Sequence, residues 1–500
     1  MPARTLMLQG TSSSVGKSVL TAALCRIFAR RGERVAPFKA QNMSNNAAVC
    51  GDGGEIGRAQ AVQAAAAGIA PTPDLNPILL KPEADSRSQV IVLGQRWQTL
   101  QAGSYYRRKE ELWPVVTAAL DRLRAAYELV IIEGAGSPVE LNLRTFDIVN
   151  MSVARYAGSP VLLVGDIDRG GIFAQLLGSL WLLPDEERAL VRGLIVNKFR
   201  GDRRLFAEGV RILEERGGAP VLGVVPYLCG LALPEEDAVA LDADKGLDSS
   251  GVRDIAVIRL PHIANFDDFD PLCSESGVRL RYVDSVAALG NPSAVILPGT
   301  KSTLADLAWL AERGIAAEIR RLAAQGTAVA GICGGYQMLG SMIHDPERVE
   351  SNKDALPGLG LLPVDTTFAG DKAVFQSSAR VVDGPRWLAD LCGQMVEGYE
   401  IHMGRTRSDG AWLEITARNG QPCQADDGCM SADGGIWGCY LHGLFANTAF
   451  RRAWLAGLPS RSGTVIVDAP VSLDESLDRL ADAAEAALDM KRLETILASS

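Results

Sequence analysis

The sequence contains few aromatic and histidine residues and no long apolar run. Aromatic residues make up 6% of its 500 positions, and four histidines occur without a paired ligand spacing, which argues against a structural zinc site. No run of 18 apolar residues is present, so a membrane-spanning helix is not expected. The N-terminus lacks a charged segment followed by an apolar core, so we expect no signal peptide and a cytoplasmic location.

Cysteine spacing and charge exclude two further classes of protein. The nine cysteines are scattered and none forms a CxxC pair, which predicts reduced thiols rather than a disulfide framework. The formal net charge of −10 argues against a general binder of nucleic acid or acidic membranes. The expected partners are therefore small molecules, and composition does not predict the oligomeric state.

Length and local composition predict several domains. Five hundred residues exceed what one hydrophobic core usually supports. The segment from Pro234 to Gly251 is rich in acidic residues and ends in Ser-Ser-Gly, which is typical of an interdomain linker. The predicted divisions are a first domain over 1–234, a linker over 235–251, a second domain over 252–455 and a helical tail without chemistry over 456–500.

A glycine-rich loop between a strand and a helix is the first functional motif. Thr5 to Leu8 predicts a buried strand, and apolar residues at helical spacing mark Val19 to Arg31. The backbone N–H groups of such a loop surround phosphate oxygens, its lysine reaches the outer phosphates, and its serine hydroxyl can hold Mg²⁺. The predicted nucleotide-binding residues of the loop are Gly10, Thr11, Ser12, Ser14, Val15, Gly16, Lys17 and Ser18.

The spacing of this loop points to one branch of nucleotide-binding proteins. Five residues separate Gly10 from Gly16, and Thr11 stands where the strict motif has its first glycine. The longer loop resembles that of dethiobiotin synthetase and its ATP-dependent relatives. Apolar strands alternate with helical segments as far as Pro226, which predicts an α/β domain with a doubly wound parallel sheet. Ligands should gather at the C-terminal ends of its strands.

Acidic residues near the predicted phosphate loop are candidates for magnesium. Glu133 ends the apolar run that starts at Tyr127, and we predict that it holds Mg²⁺ together with Ser18. Glu55 lies in a glycine-rich turn before an alanine-rich helix and is a second metal candidate, with Asp52 beside it. Isolated loop acids of this kind are more often simply solvated.

Other polar side chains at strand ends are candidates for contacts with the nucleotide or the substrate. Asn197 and Lys198 follow the strand that starts at Val191, and we predict that they contact the nucleotide base. Asp147 either faces the substrate or caps the next helix, and the sequence leaves both readings open.

The second half contains a cysteine at a predicted turn from strand to helix. Ala328 to Ile332 is a strand-like run, and Cys333-Gly334-Gly335 follows it directly. A sharp turn of this type lifts the thiol above the sheet, and the start of the next helix offers backbone N–H groups to an oxyanion. We predict that Cys333 is a nucleophile, the alternative being a buried structural cysteine.

A thiol nucleophile needs a base within reach. His442 follows the strand-like run Ile436 to Leu441 and is the favoured base. His402 is the second candidate, while His262 and His344 lie in weaker contexts.

Together these residues resemble a class I glutamine amidotransferase domain, which implies glutamine as the nitrogen donor. That family usually has an acid two residues after the histidine, but this sequence has Leu444 there, so the group that orients His442 is open. The resemblance implies oxyanion and glutamine-binding roles for Gly299, Thr300, Gly334, Tyr336 and Gln337.

The two halves in this order resemble the cobyric acid synthase family of cobalamin biosynthesis. The resemblance covers nearly all of the chain up to about residue 450 and implies substrate or activation roles for Lys39, Gln41, Asn42 and Asp147. The stretches that carry it are 38–46, 55–60, 166–171, 398–404 and 440–445.

The resemblance implies an ATP- and Mg²⁺-dependent amidoligase. ATP would form an acyl phosphate on a corrinoid carboxylate, and ammonia from glutamine would displace the phosphate. The implied acceptor is adenosylcobyrinic acid a,c-diamide, amidated at its b, d, e and g side chains.

Two alternatives stay open at this point. One is a related amidoligase, such as cobyrinic acid a,c-diamide synthase or an enzyme that amidates a cell-wall lipid. The other is a regulatory ATPase switch with an inactive amidotransferase domain, against which the presence of both Cys333 and His442 argues.

Overall fold

A computed structural model describes residues 2–84, 87–228, 231, 233–234, 253–351, 354–385, 387–408, 410–458 and 472–499. The predicted linker over 235–251 lies outside the described residues. Within the described ranges, no helix combines the length and apolarity that a membrane span requires.

The first half is built around a parallel sheet, as the alternation of apolar strands and helices predicts. Its strands β1 to β12 are Arg4–Gly10, Val35–Phe38, Gln41–Met43, Ala47–Val49, Glu55–Gly57, Ile78–Ala84, Arg87–Val92, Gln95–Gln101, Leu129–Glu133, Val161–Asp166, Val191–Phe199 and Val221–Pro226. Its helices α1 to α8 are Lys17–Arg30, Arg58–Ala67, Ala102–Arg107, Lys109–Ala126, Met151–Ala157, Ile172–Leu182, Asp185–Arg188 and Ala207–Gly217.

The order of the parallel strands places the phosphate loop at the centre of the sheet. In the described residues the order is β12-β11-β10-β1-β9-β2, and β1 pairs in parallel with both β10 and β9. The loop after β1 and the acid at the end of β9 therefore share one edge of the sheet. The register brings Leu8 opposite Glu133.

A smaller sheet, β3-β6-β7-β8, extends from the first half and was not predicted from the sequence. Its strands β6, β7 and β8 form an antiparallel meander. The polar stretch from Gln41 includes strand β3 of this sheet.

The second half contains another central sheet and a large, mostly antiparallel sheet. Strands β13 to β24 are Arg253–Ile258, Val278–Val283, Ala294–Leu297, Ala328–Ile332, Met342–His344, Ala355–Pro357, Asp365–Val381, Met395–Arg407, Leu413–Arg418, Gln421–Asp427, Cys429–Met430 and Ile436–Cys439. Helices α9 to α14 are Asp270–Cys273, Val286–Leu289, Thr303–Glu312, Ile315–Ala324, Gly334–Leu339 and Thr448–Gly457. The central sheet has the order β14-β13-β15-β16-β24-β23, so the strands preceding Cys333 and His442 are neighbours.

The C-terminal tail is helical, as predicted, and packs on the first half of the chain. Its helices α15 and α16 are Leu473–Ala487 and Met490–Ala498. Ser472 begins α15 with a capping box to Glu475, which satisfies backbone groups at the helix start. Apolar side chains of both helices belong to the same buried cluster as α1, and Arg26 of α1 pairs with Asp478 at 2.8 Å. The tail therefore completes the core of the first domain.

The two halves share a packed interface. Ala47, Val49, Leu79 and Ile91 from the first half form one buried cluster with Tyr399 and Ile401 from the second. Removing such apolar surface from water stabilises the arrangement of the halves.

Candidate functional site

The lysine of the phosphate loop lies inside the loop, held by backbone carbonyls. Lys17 Nζ donates to Ser12 O at 3.0 Å and to Gly136 O at 3.1 Å. A side-chain carbon at Gly10 would come within 2.8 Å of this nitrogen, so glycine is required there. Gly16 begins α1 with φ of 98°, a conformation that favours glycine. The loop thus has the form expected of a phosphate-binding site.

Glu133 accepts hydrogen bonds from three side chains of the predicted nucleotide site. Its carboxylate accepts hydrogen bonds from Ser18 Oγ at 2.7 Å and Lys39 Nζ at 2.9 Å through Oε1, and from Gln63 Nε2 at 2.6 Å through Oε2. Burial acts to raise the pKa of Glu133, but Lys39 and the hydrogen bonds from Gln63 and Ser18 outweigh it and lower the pKa. The side chain is therefore a buried carboxylate at the phosphate loop.

The oxygens of Ser18 and Glu133 fit a magnesium ion, which prefers oxygen ligands and usually keeps phosphates and water as further ligands. The two side chains meet at 2.7 Å beside the loop. No cluster of three His, Cys, Asp or Glu side chains suited to a metal occurs in the part of the chain that the structure describes. An ion bound here would take its other ligands from the nucleotide and the solvent.

Glu55 does not fit its predicted role as a metal ligand. It pairs with Lys81 at 2.9 Å and with Lys372 from the second half. Burial acts to raise the pKa of Glu55, but the two ammonium groups lower it to about 2. Both oxygens are occupied by cations, so we correct the prediction: Glu55 joins the two halves by ion pairs. Its neighbour Asp52 lies in an exposed turn and accepts from the Gly54 N–H at 3.0 Å.

Asn197 and Lys198 bind backbone carbonyl groups of the phosphate loop. Asn197 Nδ2 donates to Val15 O at 2.8 Å, and Lys198 Nζ donates to Ser14 O at 2.6 Å. Lys198 also pairs with the buried Asp166 at 2.9 Å. In this arrangement both residues brace the loop, and their contact with a nucleotide base stays a prediction. Thr11 is likewise anchored, because its Oγ1 donates to Gln175 at 3.1 Å.

Three of the residues predicted to contact substrate have hydrogen-bond partners within the first half. Asp147 accepts from the backbone N–H groups of Val149, Asn150 and Ser152, each at 2.9 Å, and so caps the start of α5. Asn42 Nδ2 donates to Gln60 Oε1 at 2.9 Å. Gln41 accepts a hydrogen bond from the Tyr105 hydroxyl. Of the predicted set, Lys39 lies closest to the nucleotide site because it contacts Glu133.

Cys333 occupies the sharp turn that the sequence predicts. Its backbone has φ of 52° and ψ of −107°, which is strained for a residue with a side chain and costs about 1 to 3 kcal/mol. A side-chain carbon at Gly335 would come within 1.9 Å of Leu297 O, so the turn requires glycine there. The surrounding core holds the strained turn in place, as at other reactive sites.

His442 is held by a buried acid that the sequence analysis did not find. Its Nδ1 lies 2.6 Å from Asp268 Oδ2, and Asp268 Oδ1 accepts from the Gly443 N–H at 2.8 Å. Burial acts to lower the pKa of His442, but Asp268 and the Cys333 side chain raise it to about 10. Cys333, His442 and Asp268 therefore have the arrangement that a nucleophile, a base and an orienting acid require. Asp268 takes the place left open by Leu444.

Asp268 precedes His442 by 174 residues, so sequence spacing did not reveal it. The available signal was the acidic pair Asp267-Asp268, which follows the first strand of the second half. Loops after parallel strands gather at one edge of a sheet, and this rule places the acidic pair near His442.

Gly299, Thr300 and Gly334 border the thiol, as predicted for an oxyanion site. A side-chain carbon at Gly334 would lie 3.1 Å from the Thr300 backbone nitrogen, and one at Gly299 would lie 3.0 Å from His442 Cε1. The buried Asp306 fixes this turn by accepting hydrogen bonds from the Thr300 hydroxyl and from His262. The backbones of two loops thus lie close together beside Cys333, and their role as an oxyanion site stays a prediction.

Of the other two predicted glutamine-binding residues, one borders the cavity and one does not. Gln337 lines the cavity and is held by Thr303 at 2.9 Å and by Tyr440 at 3.1 Å. Tyr336 is buried beneath the site and packs edge-on against Tyr440 with ring centroids 5.5 Å apart. We therefore correct the prediction for Tyr336, which is a core residue rather than a ligand.

The competing histidines have other partners. His402 also lines the cavity, but its Nδ1 lies 2.8 Å from Gly404 O and its ring stacks on Tyr440. His262 Nδ1 lies 2.7 Å from Asp306. The geometry therefore favours His442 as the base.

A cavity opens from Cys333 and is bordered by both halves of the chain. Lys81, Glu83, Arg87 and Gln89 line it from the first half. Lys301 pairs with Glu83 across it at 3.2 Å. Strands β6 and β7 of the small sheet thus form part of the wall of this cavity.

Glu350 provides an acid in the wall of this cavity. Its Oε1 accepts from the Thr303 N–H at 2.7 Å, whereas its buried Oε2 has no hydrogen-bond partner among the residues that the structure describes. Burial raises the pKa of Glu350 to about 7.

Two family models match the two halves of the chain. Residues 6–238 match the CobQ/CobB/MinD/ParA nucleotide binding domain, and residues 254–450 match the CobB/CobQ-like glutamine amidotransferase domain. Among solved structures, PurLQS from Thermotoga maritima matches 41% of this chain and 97% of its own, with 18% identity and a TM-score of 0.31.

Several full-length relatives carry one name. Cobyric acid synthase of Chloroflexus aurantiacus is 57% identical over 99% of this chain and 100% of its own length. Those of Roseiflexus castenholzii and Dehalococcoides mccartyi strain CBDB1 are 58% and 49% identical, over 92% and 99% of both chains. The chain therefore belongs to the cobyric acid synthase family and is a glutamine-dependent amidoligase.

Proposed function

We propose that this family member amidates corrinoid side-chain carboxylates in cobalamin synthesis, using ATP and ammonia released from glutamine. The observation that carries the proposal is the buried His442–Asp268 pair beside Cys333, which completes an amidotransferase site. Full-length similarity to proteins named cobyric acid synthase supports the corrinoid as acceptor.

The glutaminase step follows from the triad. Cys333 Sγ attacks the side-chain amide carbon of glutamine, and the oxyanion faces the backbone N–H groups near Thr300 and Gly334. His442 takes the proton of the Cys333 thiol, holds it with Asp268 as the counter-charge, and gives it to the departing ammonia. Water then hydrolyses the thioester to release glutamate, with His442 accepting the proton from that water.

Glutamine recognition uses the charged walls of the cavity. The free amino acid carries an ammonium group and a carboxylate in addition to its side chain. Glu350 Oε2, buried and without a hydrogen-bond partner among the described residues, is the group for the ammonium. Lys301 and Arg87 line the same cavity and supply positive charge for the carboxylate.

The synthetase step takes place at the phosphate loop. A carboxylate does not react with ammonia directly because oxide is a poor leaving group, so ATP converts it to an acyl phosphate. Lys17, held inside the loop, is the group that stabilises the transferring phosphoryl group, and Ser18 and Glu133 would hold a Mg²⁺ ion that supplies positive charge to the phosphates. Lys39 keeps Glu133 ionised for this role. Ammonia then displaces phosphate and leaves an amide.

The specific acceptor in this proposal is adenosylcobyrinic acid a,c-diamide, amidated at the b, d, e and g positions. The test is a coupled assay with glutamine, ATP, Mg²⁺ and this acceptor, in which amides are counted by mass spectrometry. Four added amides per corrinoid support the proposal, and a product amidated only when the a and c carboxylates are free would contradict it.

A further inference from the structure

Helix α2 of the first half begins with an arginine that reaches the second half. Arg58 Nε lies 2.9 Å from Asp267 Oδ2, and Arg58 Nη2 donates to the Tyr399 hydroxyl at 2.6 Å. The guanidinium carbon also stands 5.1 Å from the centroid of the Tyr399 ring. Burial disfavours the charge, but Asp267 and Tyr399 outweigh burial and raise the pKa of Arg58, so it stays a cation.

Both partners of Arg58 adjoin the catalytic base. The Tyr399 ring stacks on the imidazole of His442, with centroids 5.0 Å apart and planes 10° apart. Tyr399 and His442 also exchange two backbone hydrogen bonds, of 3.1 and 2.9 Å. Asp267 directly precedes Asp268, the acid that binds His442. Arg58, from the first half of the chain, therefore contacts both Tyr399, which packs on the imidazole, and Asp267, which adjoins its acidic partner.

The loop that carries Asp268 has further contacts to the first half. Asn46 Oδ1 accepts from the Phe266 N–H at 3.2 Å, and Asn265 Oδ1 accepts from the Ala47 N–H at 3.1 Å. Asn265 Nδ2 in turn lies 3.5 Å from His442 Nε2. The first half thus holds the loop in place from Asn265 to Asp267.

The same helix contacts the nucleotide site further along its length. Gln63 Nε2 donates to Glu133 Oε2 at 2.6 Å and to Ser18 O at 3.3 Å. Arg58 and Gln63 are separated by about 7.5 Å along the axis, from a rise of about 1.5 Å per residue. A rigid element of this length connects the carboxylate at the phosphate loop with the support of His442.

We propose that α2 couples the two active sites, with Arg58 as a positioning residue of the glutaminase site. Occupation of the phosphate loop changes the partners of Ser18 and Glu133, and Gln63 transmits that change along α2 to Arg58. Because Arg58 orients Asp267 and Tyr399, the position of His442 then depends on the state of the synthetase site. This inference rests on the proposed function for the identity of the two reactions.

The test uses the full-length protein with Arg58→Ala and Arg58→Lys. We expect Arg58→Ala to lower kcat for glutamate release by about 5- to 150-fold, the range of a typical coupling free energy, with little change in KM for glutamine. Synthesis from ammonium should be unchanged, because Arg58 is outside the synthetase chemistry. Arg58→Lys keeps the charge and should restore part of the rate.

Arg26→Ala is the matched control, since it removes an arginine whose ion pair with Asp478 lies away from the glutaminase site. It should leave glutamate release unchanged. For the test variant itself, a wild-type kcat for glutamate release in Arg58→Ala would overturn the proposal. If Arg58→Ala does not fold, Arg58→Lys decides. A kcat for glutamate release below the wild-type value, with unchanged synthesis from ammonium, supports the proposal. A wild-type kcat, or an equal loss of both activities, contradicts it.

A second readout tests the coupling itself. Glutamate release is measured with and without ATP, Mg²⁺ and the corrinoid acceptor. The wild-type rate should rise when the synthetase site is filled, and this rise should be lost in Arg58→Ala. An identical rise in the variant would contradict the role of α2. Failure of the wild type to form amides from ammonium would instead contradict the proposed function, so the two failures are distinguishable.

Discussion

His442 Nδ1 lies 2.6 Å from Asp268 Oδ2, and both side chains are buried. This pair determines which imidazole nitrogen faces Cys333, because Nδ1 is occupied by the carboxylate and Nε2 remains for the reaction. It also gives His442 an acidic partner, although Leu444 stands in the position of the usual acid.

Replacing Asp268 by Asn should impair glutaminase activity without removing the cavity. The amide is nearly isosteric, but it does not stabilise the imidazolium and it favours the other tautomer. We expect glutamate release to fall by roughly 10²- to 10⁴-fold, as for loss of the orienting acid in other triads. Steady-state kinetics of glutamate release measure this, with the exposed Asp284→Asn as control. Activity within about 3-fold of wild type, well below the losses expected for a triad acid, would remove Asp268 from the triad.

Replacing Lys17 by Ala should abolish synthesis with either nitrogen donor. Its ammonium lies inside the phosphate loop, where it stabilises charge on the outer phosphates of ATP. The expected loss is about 10²-fold or more, in line with removal of a main electrostatic stabiliser. Product formation from glutamine and from ammonium is measured separately. Near-normal synthesis with either donor would contradict the assignment of the loop.

Glu133→Gln should raise the magnesium requirement and slow ATP turnover. The neutral amide is a weaker ligand for a hard cation than the carboxylate, and it no longer pairs with Lys39. ATP hydrolysis is followed across a magnesium titration. An unchanged magnesium dependence, in a variant that keeps its fold by circular dichroism, would exclude Glu133 as a metal residue.

The pH dependence of glutamine binding should follow Glu350. Its pKa is raised to about 7, so the carboxylate that binds an ammonium group forms as the pH rises through that value. KM for glutamine should therefore fall between about pH 6 and about pH 8. Glu350→Gln should raise KM by roughly 10- to 100-fold, the worth of a hydrogen bond to a charged group, and flatten its pH dependence. A variant with the wild-type KM profile would contradict this role.

The central parallel strands and the two reactive turns could be predicted from the sequence because their signals are local. Buried parallel strands are continuous apolar runs, and the turns at Gly16 and Cys333 need glycine at fixed offsets. The antiparallel strands have weaker sequence patterns than the continuous apolar runs of the parallel strands. Strand β19, for example, mixes exposed and buried positions along 17 residues, so no single period marks it.

What could not be predicted depends on contacts between distant segments. Asp268 is an ordinary loop acid until the fold brings it to His442. In the sequence Glu55 resembles a metal ligand, but in the fold Lys81 and Lys372 form ion pairs with its carboxylate. Tyr336 lies three residues after the nucleophile, but its side chain is buried in the core. The contact of Arg58 with Asp267 likewise joins two domains, and neither local pattern indicates it.

The most direct test of the division of labour is Cys333→Ala, assayed with each nitrogen donor. The change removes the sulfur that forms the thioester but leaves the phosphate loop untouched. We predict that the variant loses glutamine-dependent synthesis and glutamate release. It should still form product from high ammonium at raised pH, where more free ammonia is present, and His442→Ala should behave alike, with a smaller defect for His402→Ala. Full glutamine-dependent activity in the Cys333 variant, or loss of ammonium-dependent synthesis while it remains folded, would contradict the account.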